Sequence, residues 1–438
     1  MKKYFISGAM LAGLMSLAAC SNDEGVVADN NGAEQQFTIT LASSGDRATR
    51  AAADRTLESE AAGQSIEKVT LVVRSQDDGA DKNKVVYIYT LDNWNGTATN
   101  YDTNGHGKKL TFTIPKADKL GEGKYVVTAV GYNEGNYNLS LPAKGDVLDK
   151  NITATTPTGA EAKEVFAGEQ KFTVTAPKPD DSNQIQNVDV TLHRQVAGAY
   201  GYFTSIPAKI GETDVASIRM VSRSKNTVLT FGSFNSSFTT TDANVMYMVN
   251  GSVPAGKTAK FLNGDEANVL FSAKIADWFP GGDKNNDGVY DNKDTNWTQH
   301  YTGSYLKGSV FASNFIVPFS ATQGKSTLEL QLLDATGNVL YAWPVKLDAS
   351  NAQVGKTGET ASADLFGTGT AMGFAETADV FSLFRNHIYS IGIHKQGTTN
   401  PDKTDPGTDE PTDLSKIQNV VIRVNDNWEA LHHMSIDE

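Results

Sequence analysis

The sequence predicts an all-β protein built from two antiparallel β-sandwich domains. Short runs rich in Val, Ile, Thr, Tyr and Phe alternate with clusters of Gly, Asn, Asp and Pro, which is the pattern of strands and turns. No segment of ten or more residues after residue 64 has a helical period. Strand spacings of about 12 to 25 residues suit a sandwich better than βαβ units.

The first predicted domain covers residues 36–197. Its first strand alternates strictly, with Phe37, Ile39 and Leu41 on one face. Such alternation indicates a strand with one buried face. Six further runs continue the series: 68–74, 85–91, 109–114, 125–132, 171–175 and 187–192.

The second predicted domain covers residues 198–395. A hairpin is predicted near its middle, because Gly337 and Asn338 can adopt positive φ between two apolar runs. We place the domain boundary near residues 194–200. The runs of this half are 217–222, 227–231, 245–249, 268–275, 310–318, 326–333, 339–347 and 387–393.

Charge and cysteine content exclude several classes of protein. The net charge of −13 argues against a nucleic-acid partner, which a basic face would attract. A single cysteine in 438 residues excludes an internal disulfide framework and a Cys-rich zinc site. The seven histidines form no HExxH pattern, and no GxSxG or P-loop motif is present. The sequence therefore predicts a protein that is not an enzyme.

The N-terminus predicts export and lipidation. Residues 1–20 carry two lysines, then an apolar stretch, and end in Leu-Ala-Ala-Cys, which looks like a bacterial lipobox. Cys20 would then carry the diacylglycerol, and its acyl chains would anchor the precursor to a membrane. The acidic segment that follows, residues 21–25, resembles the signals that send Bacteroidetes lipoproteins to the outer face of the outer membrane. Residues 21–35 are predicted to form a flexible tether. A plain secretory signal with an incidental cysteine is the alternative.

Two polar segments interrupt the strand pattern. Residues 43–65 contain Arg47, Arg50 and Arg55 among Ala, Ser and Glu, and we predict a mobile loop there. Residues 396–415 are rich in Pro, Thr, Asp and Gly, which predicts an extended linker. Beyond it, residues 416–438 contain another strand-forming run. The predicted donor residues of this run are Val420, Val421, Ile422, Val424 and Trp428.

The two ends of the chain suggest strand exchange. A lone strand must pair its backbone groups with its own domain or with another chain. If the 36–42 strand were cut away at the Arg loop, the tail of a second molecule could fill the groove. Such a head-to-tail contact does not close and builds filaments. Two simpler hypotheses stay open: the tail pairs in its own domain or has no role, and the arginines are incidental.

This arrangement resembles the fimbrillins, the major fimbrial subunits (type V pilins) of Bacteroidales. The resemblance is carried by Leu17–Cys20, the Arg loop at 47–55, the strand Phe384–Ile391 and the tail Val420–Trp428. It implies two transthyretin-like sandwiches and a lipoprotein precursor. It also implies cleavage after an arginine and insertion of the C-terminal strand into a neighbouring subunit.

An EF-hand-like loop is predicted at residues 283–294. The pattern DxNxDG places oxygen ligands round one centre, and Gly288 allows the sharp turn. The terminal Asp in place of Glu resembles the dockerin type of loop, and no helical pattern flanks it. We therefore predict a structural calcium site. The predicted ligands are Asp283, Asn285, Asp287, Val289, Asp291 and Asp294.

The sequence thus predicts a surface fimbrial subunit that is processed at Arg47, Arg50 or Arg55 and polymerises through its C-terminal strand, supporting adhesion. Its expected partners are other fimbrial subunits, including tip and anchor subunits. Two alternatives remain: a fimbrial tip or anchor protein, and a monomeric surface lipoprotein that binds glycans through exposed aromatic residues.

Overall fold

The regular secondary structure of the described residues is almost entirely β-strand. The computed structural model describes residues 35–41, 66–100, 108–148, 152–158, 161–175, 186–223, 225–231, 268–301, 305–319, 328–347, 383, 385, 388–392, 394, 409–415 and 420–425. Two single-turn helices occur at Trp94–Thr97 and Ile275–Trp278, and a 3-10 turn occurs at Lys116–Asp118. Among these residues there is no helix with the length and apolar character needed to cross a membrane.

The described strands follow the predicted series closely, and the strand predicted at 245–249 lies outside the described residues. Those before residue 195 are β1 (Gln35–Leu41), β2 (Lys68–Ser75), β3 (Val85–Leu91), β4 (Thr99–Asn100), β5 (Lys108–Thr113), β6 (Gly123–Tyr132), β7 (Asn138–Ser140), β8 (Thr153–Thr155), β9 (Phe166–Val174) and β10 (Gln186–Arg194). Those after it are β11 (Ala197–Thr204), β12 (Ile206–Pro207), β13 (Lys209–Ile210), β14 (Thr213–Asp214), β15 (Ser217–Ser222), β16 (Val228–Thr230), β17 (Asn268–Lys274), β18 (Val289–Tyr290), β19 (Val310–Ile316), β20 (Leu328–Leu333), β21 (Val339–Leu347), β22 (Ile388–Ile391), β23 (Thr412–Asp413) and β24 (Val420–Asn425).

The first sandwich follows the strand order β3-β2-β6-β9-β10-β1-β5-β4. β10 changes partner along its length: residues 186–192 pair with β1, and His193 and Arg194 pair with β9. A strand that changes sheets in this way makes a corner between two layers. Apolar side chains of both layers, including Phe37, Val69 and Val127, meet in one buried cluster.

The second sandwich follows the order β17-β15-β20-β21-β24-β22-β11-β19. Here β24 is the corner strand: residues 420–422 pair with β21, and residues 423–425 pair with β22. β11 is buried along most of its length, because its glycines and alanines admit aromatic neighbours. At Gly201, for example, a Cβ would collide with the rings of Phe203 and Phe271.

The two sandwiches share more structure than the predicted boundary at 197/198 implies. β10 ends at Arg194 and β11 begins at Ala197, so the chain does pass from one sandwich to the other there. However, β16 from the second half pairs with β8, and β8 pairs with β7. One buried cluster also contains residues of both halves, among them Val130 and Phe311. Strand pairing and buried contacts therefore cross the predicted boundary.

Buried polar side chains hold this junction together. Arg194 and Glu164 form a buried ion pair, in which Nε of Arg194 donates to Oε1 of Glu164 at 2.7 Å. Gln195 is also buried, and its amide nitrogen donates to the carbonyl oxygen of His193 at 2.7 Å. Arg385, far along the chain, donates to Oε1 of Gln195 at 2.7 Å. This hydrogen bond connects Arg385, from the C-terminal part of the chain, to the junction between the two sandwiches.

The prediction of an all-β protein with sandwich-like sheets is confirmed. Strand content and the positions of most strands agree with the pattern of β-branched and aromatic residues. The expectation of purely antiparallel sheets is wrong, because β1 runs parallel to β10, β24 runs parallel to β21, and β11 runs parallel to both β22 and β23. Alternation reveals which residues face the core, but it carries no information about the direction of the neighbouring strand.

Candidate functional site

The first terminal strand, β1, lies inside a sheet rather than at its edge. It pairs parallel with β10 over seven residues and antiparallel with β5 over six. The start of the strand is fixed by Gln35, whose side-chain amide exchanges two hydrogen bonds of 2.8 Å with the backbone of Leu120. Removal of β1 would leave unpaired backbone groups on both β5 and β10, and this edge is a template for another strand.

The side chains of β1 fill the core of the first sandwich, as the alternation predicts. Phe37 and Ile39 are 1% and 0% exposed. The ring of Phe37 lies 5.8 Å from both Phe112 and Phe172. On the opposite face, the hydroxyl of Thr38 donates to Oδ1 of Asn187 at 2.9 Å. An incoming strand would have to place apolar side chains at the positions of Phe37 and Ile39.

Several predicted site residues lie outside the described residues. These include the lipidation residue Cys20 and the tail residue Trp428. The processing candidates Arg47, Arg50 and Arg55 lie in residues 42–65, which join β1 to the next described residue, Ile66. Lipidation and cleavage at these positions therefore stay predictions.

The predicted donor strand is seated in its own chain. β24, which contains Val420, Val421, Ile422 and Val424, lies between β21 and β22. This arrangement corresponds to the alternative in which the tail pairs with its own domain. The strand thus occupies an interior position, and exchange with a neighbour would require it to leave that position.

The predicted linker 396–415 is shorter than expected at its C-terminal end. β23 pairs parallel with Phe203 and Thr204 at the end of β11. Leu414 is only 2% exposed, and its backbone N–H donates to the carbonyl of Thr204 at 3.0 Å. Composition predicted a linker because the segment is polar, yet one leucine and a short ladder are enough to dock residues 409–415 on the second sandwich.

The predicted calcium loop folds as a series of side-chain-to-backbone turns. Asp283 accepts hydrogen bonds from the backbone of Asn286 at 2.8 Å and of Gly288 at 2.9 Å. Asp294 is fully buried and accepts from the backbone of Lys284 at 2.8 Å and of Asp291 at 3.0 Å. Gly288 has φ 87°, so the sharp turn predicted at this glycine is present.

A lysine supplies positive charge within the loop. Nζ of Lys293 lies 2.9 Å from Asp287 and 3.1 Å from Asp291. Its hydrogen bond to Asp287 lowers the pKa of that carboxyl, and the two carboxylates raise the pKa of Lys293. The described residues contain no group of three or more His, Cys, Asp or Glu side chains arranged to hold a metal ion. In this arrangement Asp287 and Asp291 bind the ammonium group, and the calcium site stays a prediction.

One buried pair was missed by sequence reasoning. The histidines are scattered along the sequence and suggested no special role, yet His394 is buried beside Asp409, with Nδ1 and Oδ2 at 2.8 Å. His394 precedes the Pro- and Thr-rich segment 396–415, for which the composition predicts a linker, and Asp409 lies within that segment. No spacing rule connects a histidine to an aspartate across such a stretch.

Comparison with known proteins gives structural neighbours only. No protein-family model matches the chain, and curated proteins give no sequence match.

The structural neighbours include fimbrial and adhesion proteins of Bacteroidales. The fimbrial anchor protein Mfa2 from Porphyromonas gingivalis is 9% identical with a TM-score of 0.34, over 82% of this chain and 90% of that chain. A fimbrial assembly protein from Parabacteroides distasonis is 12% identical with a TM-score of 0.35, over 84% and 93%. A candidate cell adhesion protein from the same organism is 8% identical with a TM-score of 0.41, over 90% and 96%. Sequence identities and TM-scores this low do not by themselves establish a function.

Proposed function

We propose that this chain is a structural subunit of a cell-surface fimbrium that polymerises by strand exchange. The observation that carries the proposal is the position of β1. A single strand from the start of the chain fills an interior place in the first sandwich, bonded on both sides, and residues 42–65 with their three arginines follow it. Cleavage there would make β1 a separate, replaceable piece.

The chemistry of the vacated place defines what would enter it. Its walls are the unpaired edges of β5 and β10, and its floor is the apolar cluster round Phe112 and Phe172. A strand with alternating apolar side chains satisfies both requirements. The tail of a second copy has this pattern, with Val420, Ile422 and Val424 at alternate positions.

Further features of the proposal concern the precursor and the family. We propose that Cys20 carries a lipid that holds the precursor at the outer membrane before cleavage. We also propose that the two sandwiches have the transthyretin-like arrangement of the fimbrillins, and that the polymer supports adhesion. A structural role without catalysis agrees with the absence of catalytic motifs from the sequence.

Limited trypsin treatment of the folded chain tests the proposal. We expect one cut between Arg47 and Arg55. Oligomers should then elute early in size-exclusion chromatography, and fibres should appear in electron microscopy. The matched control replaces Arg47, Arg50 and Arg55 with Gln, which should leave β1 attached and the protein monomeric. A cleaved chain that releases β1 and still remains monomeric at high concentration would contradict the proposal.

A synthetic peptide identifies the occupant of the groove. A peptide of residues 416–438, added at cleavage, should cap the first sandwich and stop growth of the polymer. A scrambled peptide of the same composition is the control. This design avoids deleting the tail, because β24 is also part of its own second sandwich. Equal inhibition by both peptides would show that the tail is not the donor.

A further inference from the structure

The segment just before the tail strand is held by a compact set of buried contacts. The side chains of His394 and Asp409 are 1% and 0% exposed, and their polar atoms lie 2.8 Å apart. The His394 ring stacks on Tyr305 at 4.6 Å with an interplanar angle of 11°. It also meets Tyr202 edge-on at 5.2 Å and lies 5.3 Å from Phe311. Separating His394 from Asp409 is costly, because a titratable side chain that stays buried in this aromatic cluster would lose its hydrogen-bond partner.

The backbone round this pair is packed too closely for a side chain. Gly392 has φ 77°, and a Cβ there would lie 2.5 Å from the carbonyl oxygen of Tyr202. It would also lie 3.2 Å from the carbonyl oxygen of Glu410 and the backbone nitrogen of Thr412. Gly392 therefore allows β22, β11 and the segment 409–415 to touch at one point.

The segment then turns toward the tail strand. After β23, the backbone N–H and the hydroxyl of Ser415 both donate to Oδ1 of Asp413, at 3.0 and 2.7 Å. This side-chain turn redirects the chain. Only residues 416–419 separate it from β24, so β24 cannot move far while residues 409–415 stay docked.

We propose that residues 409–415 form a lock that retains the tail strand in its own second sandwich, and that the His394–Asp409 pair is its main fastening. The lock comprises the buried pair, the β23 ladder and the buried side chain of Leu414. When it opens, the tether of the tail begins at His394 instead of Ser415. The tail is then joined to the second sandwich through residues 395–419 instead of 416–419. Retention by the lock thus regulates when β24 is available for a second copy of the chain.

This inference deepens the proposed function, because release of the tail is a step that strand exchange requires. The lock is nevertheless a property of the uncleaved monomer. It can be measured where no polymer forms, so its failure and the failure of the proposed assembly are distinguishable.

Peptide-resolved hydrogen–deuterium exchange of the full, uncleaved chain tests the lock. In Asp409→Asn we expect the backbone amides of 412–414 and 420–425 to exchange about tenfold faster, since a buried charge-assisted hydrogen bond is lost. Amides of β20, in the interior of the same sandwich, should be unchanged. The matched control is Asp214→Asn, which removes an exposed ion pair with Lys209 (N–O distance 3.5 Å) in the separate β13–β14 hairpin of the same half of the chain and should change neither set.

A second variant keeps the test decisive if Asp409→Asn does not fold. Leu414→Ala removes a buried side chain of the lock and leaves the His394–Asp409 contact intact. It should accelerate the same two sets of amides. Unchanged exchange at 420–425 in the folded variants would overturn the lock, as would equal acceleration in β20 or in the Asp214→Asn control.

The polymerisation assay then separates the two ideas. After trypsin cleavage, Asp409→Asn should polymerise faster than the unsubstituted chain. Faster exchange at 420–425 with no polymer from any cleaved variant would leave the lock standing and reject the proposed assembly. Faster polymerisation without faster exchange at 420–425 would reject the lock.

Discussion

The two terminal strands occupy comparable places but hold their sandwiches together differently. Both β1 and β24 are interior strands with a parallel neighbour on one side and an antiparallel neighbour on the other. β1 pairs with both neighbours along nearly its whole length. β24 instead divides, with three residues paired to β21 and three to β22. The first sandwich therefore contains a strand that is removable as one piece, whereas the second is closed by a strand that joins its two layers.

In the first sandwich β10, and not β1, is the corner strand. The largest predicted effect concerns the close packing of β9 on this corner strand. A Cβ at Gly168 would overlap the carbonyl of Thr191, where β9 crosses β10. Gly168→Val should therefore destabilise the protein by about 4 kcal/mol or more in denaturant unfolding. Gly121→Ala, where a Cβ meets nothing within 4 Å, is the control. A loss at Gly168→Val no larger than in that control would mean that this close approach is not needed.

Proline in each terminal strand compares the two places directly. Ile39→Pro and Val421→Pro each remove a backbone N–H from an interior strand, which disrupts the strand ladder and destabilises the sheet. For Ile39→Pro we expect faster hydrogen exchange in β5 and β10 and an unchanged second sandwich. For Val421→Pro we expect faster exchange in both β21 and β22.

An exposed alanine substitution on β5, Lys109→Ala, controls for general effects. The comparison would be wrong if Ile39→Pro loosened both sandwiches equally. It would also be wrong if Val421→Pro affected β21 and left β22 unchanged, because β24 would then not join the two layers.

Calcium should stabilise the loop of the second sandwich by a smaller amount. If the ion binds, it must displace Nζ of Lys293 from Asp287 and Asp291, so Lys293→Met should bind calcium more tightly than the unsubstituted chain. Isothermal titration and the calcium-dependent rise in Tm measure this. Asp294→Asn and magnesium are the controls. No heat and no change in Tm with Lys293→Met would reject a metal role.

The smallest expected effect concerns the β20–β21 hairpin, next to the corner strand. Hydrogen bonds from the side chains of Asn338 and Thr336 lower the pKa of Asp334 from 3.8 to about 2. Because the carboxyl pKa is lower in the folded state than in the unfolded state, Asp334 stabilises the folded state at pH values above the unfolded-state pKa. This contribution is lost as the pH falls from about 4 to about 2. The protection factors of the hairpin amides, which correct for the intrinsic pH dependence of exchange, should decrease as the pH falls across that range and should lose this dependence in Asp334→Ala. A carboxyl titrating near 4 by NMR would contradict the prediction.

Much of the fold follows from local pattern, whereas the candidate site does not. The alternation in β1 correctly predicts that Phe37 and Ile39 face the core. The DxNxDG motif correctly predicts the turn at Gly288. Neither the parallel pairing of β1 nor the seat of β24 is visible in sequence, because strand partners are chosen by contacts between residues far apart. The same reason hides His394 and Asp409.

The sequence by itself determined the strand content, the passage between sandwiches near residue 195 and the buried face of β1. It also determined that apolar strand-forming runs lie near both ends of the chain. These depend on side-chain preferences and on periodicity, which are local. Only the tertiary structure decided that the tail sits in its own sandwich, that 409–415 docks, and that β16 crosses to the first half. Those choices depend on which backbone edges and buried surfaces are left unpaired once the rest of the chain has packed, and a linear pattern does not contain that information.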